Sequence, residues 1–411
     1  MNICIIGAGI TGLTIGRLLS KSHSIKIFEK KNSIGGIART KEVDGNAYHT
    51  VGGHCLNSKN KDIMNFVFNE VLPKKNWHKV KRNAKIYFHD HLISYPIEFS
   101  IKEIAKFNEQ LAFNITKDFM SCRNNEAKNL EDWFKENFGQ TLAEEYFIPY
   151  NRKIWQTDPS LMDYSWVKGK LPLPNKKEFF KGIIGDNKDT MPHSSFYYPN
   201  ANNQNVFIEA LGKGLNVCLD FEVSNIEKKE SKWVVNGKHK FDMVINTMPL
   251  NILPFIIKGT PSEILTEAKK LKYNKVTNMF WKTKPVEATW TYLPSPNTIF
   301  HRHIHIGNFF SPKKNVTITE CNGEHSYEDL LEDGRKYDYL IEPLDYNVSD
   351  HAYVVYDHNY KGSTSKIKQY LEILGLHSIG RFGEWEYYNM DVCMESAFNL
   401  VKRINKVSAD G

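Results

Sequence analysis

The sequence carries few cysteines, and none of them stands in a pattern typical of a disulfide-rich or zinc-binding domain. There is no CxxC pair, and the six cysteines are spread over the chain at Cys4, Cys55, Cys122, Cys218, Cys321 and Cys393. Small secreted scaffolds and zinc knuckles depend on closely spaced cysteines. We therefore expect free thiols and a cytoplasmic protein in a reducing compartment.

Long hydrophobic runs are also missing. The longest apolar stretch, 243–257, is interrupted by Asn246, Pro249, Asn251 and Pro254, whereas a membrane helix needs roughly 20 apolar residues. At the N-terminus an apolar run follows Met1 directly, without the basic and hydrophobic regions of a signal peptide. The sequence predicts no membrane span and no export.

Several catalytic signatures are absent too. The chain has no GxSxG, no HExxH and no P-loop lysine, which disfavours the hypotheses of a hydrolase and of a kinase.

The net charge is mildly positive. The chain has 54 Lys and Arg residues against 47 Asp and Glu, which gives a net charge of +7 and suits an anionic ligand. This excess is spread along the chain instead of forming one basic patch or arm. We expect a small anionic ligand and no nucleic acid.

A dinucleotide-binding fingerprint is present at the N-terminus. An apolar strand pattern ends in GxGxxG at Gly7, Gly9 and Gly12, and an apolar helical pattern follows. In this motif the first glycine permits a tight turn, the second lets the backbone approach a pyrophosphate, and the third allows close helix–strand packing. Glu29 ends the second strand, where an acid binds ribose hydroxyls. The segment predicts a dinucleotide site.

The residues after Glu29 favour FAD over NAD. A second glycine pair, Gly35 and Gly36, is followed by Arg39, and this continuation resembles flavin enzymes of the amine-oxidase and mutase type. Another glycine-rich turn ends in Gly53 and His54. We expect His54 to hydrogen-bond near the flavin ring and respond to its redox state, although an ordinary surface turn is the alternative.

The remaining patterns predict an α/β protein with a Rossmann-type FAD-binding domain, an inserted helical domain and an antiparallel β-sheet substrate domain. Apolar residues recur at helical spacing from about 101 to 180, and they alternate with polar residues at 83–96 and 273–356. We assign 1–82, 201–272 and 366–411 to the FAD-binding domain, 83–200 to the mainly helical insertion and 273–365 to the antiparallel sheet.

Two further segments each have a functional and a structural interpretation. Aromatic and cationic residues between 146 and 155 suit a shelf for a planar base, but they also suit an ordinary helix core. His301, His303 and His305 alternate along a predicted strand, with Arg302 on the other face. This spacing is too wide for three ligands to share one metal ion easily, so we predict no metal site and single out Arg302.

Taken together, these motifs resemble the UDP-galactopyranose mutase family of FAD enzymes. The resemblance rests on Tyr150-Asn151-Arg152-Lys153-Ile154-Trp155 with Asp158-Pro159-Ser160, on the C-terminal Gly380-Arg381-Phe382-Gly383 followed by Tyr387 and Asn389-Met390-Asp391, and on the stretch 300–312 around Arg302. It extends from Met1 to about Asn405 in family order. The C-terminal signature is its most specific part.

The resemblance implies a chemistry and a set of site residues. In the family, N5 of reduced FAD attacks the anomeric carbon of the sugar, UDP leaves and returns, and UDP-galactopyranose and UDP-galactofuranose interconvert without net redox change; NAD(P)H would only reduce the flavin. The implied catalytic residues are His54, Arg302 and Lys170. The implied substrate-binding residues are Tyr146, Phe147, Tyr150, Asn151, Trp155, Lys170, Arg302, Tyr353, Tyr387 and Asn389. The implied FAD-binding residues are Gly7, Gly9, Gly12, Glu29, Gly36, Arg39, Gly53, His54, Val223, Gly380, Arg381, Asn389, Met390 and Asp391.

Three departures from the family pattern leave the substrate open. Lys170 stands where the family has a second arginine, and lysine lacks the two-pronged phosphate contact. The stretch 197–205 lacks the expected glycines, and Asn389 stands where some members have aspartate. Another nucleotide sugar, such as UDP-N-acetylgalactosamine or a dTDP-deoxyhexose, therefore stays possible.

Two hypotheses from other functional classes also remain. An amine-oxidase-type FAD oxidoreductase fits the first 40 residues equally well, and a catalytically silent flavin-fold protein is the third reading. Family analogy also suggests a homo-oligomer, but no residue pattern identifies its surface.

Overall fold

The computed structural model describes residues 1–122, 126–167, 171, 173–184 and 194–409. The chain divides into two compact units, each built from separate stretches of sequence. Unit 1 comprises residues 1–78, 197–273 and 359–411, and unit 2 comprises 79–196 and 274–358. The helical segment and the alternating segment, predicted to form separate domains, thus lie in one unit.

The strands occur in the following order. They are β1 Asn2–Ile6, β2 Ser24–Phe28, β3 Thr40–Val43, β4 Asn46–His49, β5 Trp77–Lys81, β6 Ala84–Phe88, β7 His91–Ser94, β8 Ser195–Pro199, β9 Val217–Cys218, β10 Ile226–Lys229, β11 Lys232–Val235, β12 His239–Phe241, β13 Met243–Asn246, β14 Tyr273–Thr283, β15 Trp290–Tyr292, β16 Arg302–Ile304, β17 Val316–Asn322, β18 Leu340–Val354 and β19 His377–Ser378.

The α-helices alternate with these strands, and short 3₁₀ and π turns complete the chain. They are α1 Ile10–Leu19, α2 Lys61–Asn65, α3 Ile101–Ala105, α4 Glu109–Ser121, α5 Leu130–Phe138, α6 Gln140–Leu142, α7 Ile148–Trp155, α8 Lys176–Ile184, α9 Asn205–Gly212, α10 Leu253–Ile256, α11 Ser262–Lys270, α12 Tyr327–Gly334, α13 Tyr360–Leu374, α14 Gly380–Gly383 and α15 Met390–Ala409.

Unit 1 is built on a five-stranded parallel sheet in the order β19-β13-β1-β2-β9. The central strand β1 is a continuous apolar run, as expected for a strand covered on both faces. Helices α1 and α15 pack against each other, and Leu13, Ile15 and Leu400 are buried between sheet and helices. The predicted strand–turn–helix–strand unit is therefore present, and the predicted Rossmann-type fold class is confirmed.

Unit 2 contains a seven-stranded sheet in the order β18-β14-β17-β16-β15-β6-β7. The β14–β17, β17–β16, β16–β15 and β6–β7 pairs are antiparallel, whereas β15 and β6 are parallel. Helices α3 to α8 occupy the stretch predicted to be helical. A hydrophobic core around Trp281, Phe300 and Leu330 packs against part of this sheet.

Five short strands and one long helix belong to the remaining parts of unit 1. The stretch 216–247 forms five short strands, because Asp220, Glu230 and Asn236 adopt left-handed backbone and interrupt the extended chain. The last helix runs from Met390 to Ala409. It therefore begins within the predicted FAD signature.

Candidate functional site

The turn between β1 and α1 forms a cradle that suits a dinucleotide. Gly9 is the N-cap of α1, and no side chain caps the helix there. Glu29 is 8% exposed, and its two carboxylate oxygens accept hydrogen bonds from the backbone N–H groups of Ala8 (2.8 Å) and Lys31 (2.9 Å). A carboxylate has further acceptor positions for ribose hydroxyls. A helix start and an acid thus lie side by side.

Close backbone packing explains why glycine occupies two of the predicted cofactor positions. A Cβ on Gly12 would lie 1.9 Å from the carbonyl oxygen of Gly7, so any side chain there would separate α1 from the turn. A Cβ on Gly380 would lie 2.3 Å from the hydroxyl oxygen of Thr11. The C-terminal signature therefore packs directly on the start of α1, as a shared cofactor site requires.

Arg39 and Arg381 fix loops around this cradle. Arg39 donates from Nε to the carbonyl of Gly36 (3.2 Å) and from Nη1 to the carbonyl of Ser33 (3.1 Å). Arg381 donates from Nη1 to the carbonyl of Tyr388 (2.9 Å), and its guanidinium lies 4.5 Å from the ring centre of Tyr387. Both arginines therefore hold the backbone at predicted FAD-binding segments.

The turn before α15 presents the remaining C-terminal residues. Asn389 is exposed, and its carbonyl accepts from the N–H of Cys393, while Met390 is buried. Burial raises the pKa of Asp391 above its ordinary value. These residues surround the first turn of a 20-residue helix, whose N-terminal N–H groups attract negative charge.

His54, Gly53 and Val223 also belong to unit 1. The ring of His54 lies 5.7 Å from that of His49, and both His54 and Gly53 are half-buried. Val223 is buried two residues beyond Phe221, whose N–H donates to the carbonyl of Glu29 (2.9 Å). Val223 therefore lies close in sequence to a residue bonded to Glu29, the predicted ribose-binding acid.

These residues fit FAD. The uncapped helix start, the buried acid and the glycine turns suit a pyrophosphate and a ribose, and α15 adds a second helix N-terminus. Within the described part of the chain, these features all belong to unit 1.

In unit 2, Arg302 is held by a buried carboxylate that the sequence analysis did not identify. Arg302 on β16 and Glu320 on β17 are direct cross-strand partners. Glu320 is fully buried and accepts from Arg302 Nε (2.7 Å) and from the hydroxyl of Tyr353 (3.2 Å). Arg302 also donates from Nη2 to the Tyr353 hydroxyl (2.6 Å). The predicted pair Arg302 and Tyr353 is therefore brought together by Glu320.

His301 contacts the same carboxylate. Its Nε2 lies 3.0 Å from Glu320 Oε1, and burial lowers the pKa of His301 to about 4 despite the nearby negative charge. The imidazole is thus neutral at physiological pH, and Arg302 is the cation of this cluster. The Arg302 side chain is 15% exposed, whereas the Glu320 side chain is fully buried.

The predicted aromatic segment forms a connected group of side chains. The rings of Tyr146 and Tyr150 stack at 5.6 Å with an interplanar angle of 13°. Asn151 accepts from the indole N–H of Trp155 (3.0 Å), and the Trp155 ring lies 6.0 Å from that of Tyr353. Phe147 is buried against Phe138 (4.2 Å). Phe147 therefore packs in the helical core, whereas Trp155 links the segment to Arg302.

The three alternating histidines are buried among polar side chains. His303 lies within hydrogen-bond distance of the Tyr339 hydroxyl at Nδ1, and His305 contacts Thr291 (3.0 Å) and Thr317 (2.9 Å). Burial lowers the pKa of each histidine. The described residues include no cluster of three or more side chains arranged to hold a metal ion.

Two charged residues of this unit, to which the sequence analysis assigned no site role, are buried or half-buried. Glu98 is 3% exposed beside the aromatic group, and the Nζ of Lys153 donates to the carbonyls of Leu293 (2.8 Å) and Phe300 (3.0 Å). Glu320 had a sequence signal, since it is the one acid in the otherwise uncharged strand 316–322. Lys170 lies outside the described residues.

The predicted substrate-binding residues that the structure describes therefore fall into two groups. Arg302, Tyr353, Tyr146, Tyr150 and Trp155 lie in unit 2, where they combine one cation with stacked rings. Tyr387 and Asn389 lie in unit 1 with the predicted cofactor residues. Chemically, the unit 2 group suits a phosphate attached to an aromatic base.

Comparison with known proteins adds three findings. Residues 5–70 match the family model of an NAD(P)-binding Rossmann-like domain. The chain is 26% identical over 225 residues to the dTDP-fucopyranose mutase of Escherichia coli, covering 52% of this chain and 57% of that protein. It is 28% identical over 181 residues to a probable UDP-galactopyranose mutase of Klebsiella pneumoniae, covering 42% and 45%.

The match thus spans about half the length of these curated relatives. Among solved structures, a reduced UDP-galactopyranose mutase superimposes with a TM-score of 0.86 at 21% identity, covering 99% of this chain and 94% of that one. No helix in the described ranges is long and apolar enough to cross a membrane. The sequence relatives and the shared fold confirm the predicted resemblance to the UDP-galactopyranose mutase family.

Proposed function

We propose that this protein is a flavin-dependent mutase that interconverts the pyranose and furanose forms of a nucleotide sugar, with UDP-galactopyranose and UDP-galactofuranose as the pair. The proposal includes FAD as the cofactor, NAD(P)H as its reductant and a cytoplasmic location. Its main support within the chain is the Arg302–Glu320–Tyr353 cluster beside the stacked tyrosines.

Bound reduced FAD would supply a nucleophilic nitrogen for the anomeric carbon of the sugar. The protein must then hold the leaving nucleoside diphosphate until the sugar ring recloses. In the proposed mechanism, Arg302 binds the pyrophosphate through a charge-assisted hydrogen bond, and the Tyr353 hydroxyl orients the guanidinium. Tyr150 and Trp155 bind the base by stacking.

The remaining assignments belong to the same proposal. Lys170 would add a second positive charge, and Tyr387 a hydroxyl for the pyrophosphate. His54 would lie at the flavin and sense its redox state. In unit 1, Glu29 would bind the ribose of FAD, and the N-termini of α1 and α15 would bind its anionic groups.

One experiment tests the reaction directly. The protein, loaded with FAD and reduced anaerobically, is incubated with UDP-galactopyranose, and the nucleotide sugars are separated by chromatography. We expect a second UDP-hexose from reduced protein, none from oxidised protein, and no further consumption of reductant. Peroxide formation with an amine substrate, without isomer formation, would instead favour the oxidoreductase alternative.

A dTDP-deoxyhexose is the second candidate substrate, since the match to the Escherichia coli dTDP-fucopyranose mutase covers 52% of this chain. The same assay with dTDP-fucopyranose distinguishes the two. A higher kcat/KM for the dTDP-sugar would assign the chain to that substrate and leave the mutase mechanism unchanged. Turnover of neither sugar, with tight binding of UDP, would point to another UDP-sugar.

A further inference from the structure

Helix α8 is anchored to unit 2 through Phe179 and Gly182. Phe179 is fully buried, and its ring stacks on that of Phe119 with 3.8 Å between the ring centres. A Cβ on the buried Gly182 would lie 3.1 Å from the Cα of Phe99, so the helix backbone lies close to the chain at that point. These contacts determine which face of α8 is directed toward the protein.

The opposite face of α8 exposes two large apolar side chains. Phe180 is 52% exposed and Ile184 is 54% exposed. They are four residues apart, so they lie next to each other along the helix. On a regular helix both are turned by about 100° or more from Phe179 and Gly182. Adjacent exposed apolar side chains with a polar rim mark an interaction surface.

Four exposed lysines surround this apolar pair: Lys102 on α3, and Lys176, Lys177 and Lys181 on α8 itself. The first two lysines of α8 precede Phe180 by four and three residues, which places them on the same face of the helix. The Nζ of Lys102 donates to the carbonyl of Ile184 (3.5 Å), so it reaches the other end of the pair. We call these four lysines, together with Phe180 and Ile184, the α8 face.

The acids of α3 and α8 leave this positive charge largely uncompensated. Each helix carries one acid, against the four lysines. Glu103 on α3 accepts from the backbone N–H of Ser94 (3.1 Å), and Glu178 on α8 accepts from the backbone N–H of Asn175 (2.9 Å). The α8 face therefore combines an apolar centre with an excess of cations.

We propose that the α8 face binds the surface of an anionic lipid membrane, with Phe180 and Ile184 inserted among the headgroups and the lysines bound to lipid phosphates. Helices that bind membrane interfaces have this composition, with large apolar residues beside several lysines. A lysine side chain can lie along the apolar region while its ammonium group remains at the phosphates. The inference is independent of the proposed function, since it uses none of the site residues.

Charge complementarity favours a lipid surface over a second copy of this chain. A two-fold contact between copies would place the same face against itself, and it would bring the lysines of both copies together. An anionic membrane offers negative charge and an apolar phase at the same place. Nucleic acid would supply the negative charge, but it has no apolar phase for the aliphatic side chain of Ile184.

The test is co-sedimentation of the FAD holoenzyme with two sets of vesicles, one of phosphatidylcholine alone and one with about 30% phosphatidylglycerol. We expect the wild-type protein to bind the anionic vesicles at least about tenfold more tightly than the neutral ones. Binding should weaken as NaCl is raised from about 0.1 M to about 0.5 M, because salt screens the lysines.

Two variants separate the charged and apolar contributions. Lys181→Glu should weaken binding to the anionic vesicles about tenfold or more, because it replaces a cation at the surface by an anion. Phe180→Gln leaves the charge unchanged and should weaken binding about fivefold or more, because it removes the inserted ring.

Lys269→Glu on α11 and Phe255→Gln on α10 are the matched controls. Both residues are exposed in unit 1, so these variants make the same changes of charge and apolarity away from the α8 face. They should bind vesicles like the wild-type protein. The flavin content of all four variants should match that of the wild type, which checks that each one folds.

Three results would overturn the proposal. They are equal binding to neutral and anionic vesicles, no binding to either, and equal weakening by the α8 variants and their controls. Self-association of the wild-type protein that Phe180→Gln abolishes, without vesicle binding, would likewise contradict it and assign the face to a second copy. Light scattering of the same samples without vesicles measures this self-association.

Discussion

Arg302 and Glu320 face each other across two antiparallel strands, with the Glu320 carboxylate fully buried and the Arg302 side chain 15% exposed. The buried carboxylate thus orients the Arg302 guanidinium from inside the sheet. The Tyr353 hydroxyl bonds to both residues, which restricts the guanidinium further. A charge held in this way needs little reorganisation when it binds a phosphate.

Glu320→Gln should weaken substrate binding without affecting the cofactor. The substitution keeps the shape but removes the charge that holds Arg302, and a buried charge-assisted bond contributes about 1.5–3 kcal/mol. We expect the KM for the nucleotide sugar to rise about tenfold or more, with a smaller change in kcat. The FAD content, read from the ratio of flavin to protein absorbance, should be unchanged.

Glu324→Gln provides the control for this prediction. Glu324 follows the same strand, but its side chain is 62% exposed and pairs with Lys275 at the surface. Exposed pairs contribute little to stability. If the two variants have the same KM, Glu320 does not position Arg302.

Replacing Arg302 tests the phosphate contact itself. Arg302→Ala should lower kcat/KM by about 30- to 1,000-fold, equivalent to roughly 2–4 kcal/mol of lost charge-assisted binding. Arg302→Lys should recover only part of this loss, because lysine lacks the planar fork that contacts Glu320 and Tyr353 together. An unchanged kcat/KM in Arg302→Ala would exclude its role in binding.

Gly12→Ala should abolish FAD binding. The added Cβ would lie 1.9 Å from the carbonyl oxygen of Gly7, which forces α1 away from the turn. Gly362→Ala is the matched control, since a Cβ on that helical glycine would have no atom within 4 Å and alanine favours helix by about 0.5–1 kcal/mol. Normal flavin content in Gly12→Ala, measured by absorbance after purification, would contradict the proposed cradle.

Local sequence patterns were sufficient to predict the Rossmann-type unit. The strand β1, the glycines of the turn and Glu29 lie within about 30 residues, so their spacing alone determines how they meet. The contact of Gly380 with Thr11 is different, because it joins residues far apart in sequence. It was predictable only through the family resemblance.

The sequence analysis did not identify Glu320 and Glu98, because their properties depend on neighbours that are distant in sequence. Glu320 looks like one polar residue in a strand until its register places it opposite Arg302. Glu98 follows Tyr95 and Pro96 in a segment with no motif, and its pKa is raised by burial in the folded unit. Neither burial nor register can be read from composition or spacing.

Glu98→Gln should stabilise the protein at alkaline pH. The folded-state pKa of Glu98, about 8, lies above its unfolded value near 4.5, so the folded chain binds the proton more tightly. The stabilising effect of this proton is complete below pH 4.5 and is lost as the pH rises through 8. The glutamine variant has no such loss.

The two proteins should therefore differ little in stability near pH 5, and increasingly up to pH 8. The full difference is roughly 2–5 kcal/mol in the free energy of unfolding, in favour of the variant. Urea denaturation of both proteins at pH 5, 6.5 and 8 measures it, with Glu103→Gln as the control for loss of a nearby carboxylate. A stability difference that is the same at all three pH values would show that Glu98 does not retain its proton in the folded chain.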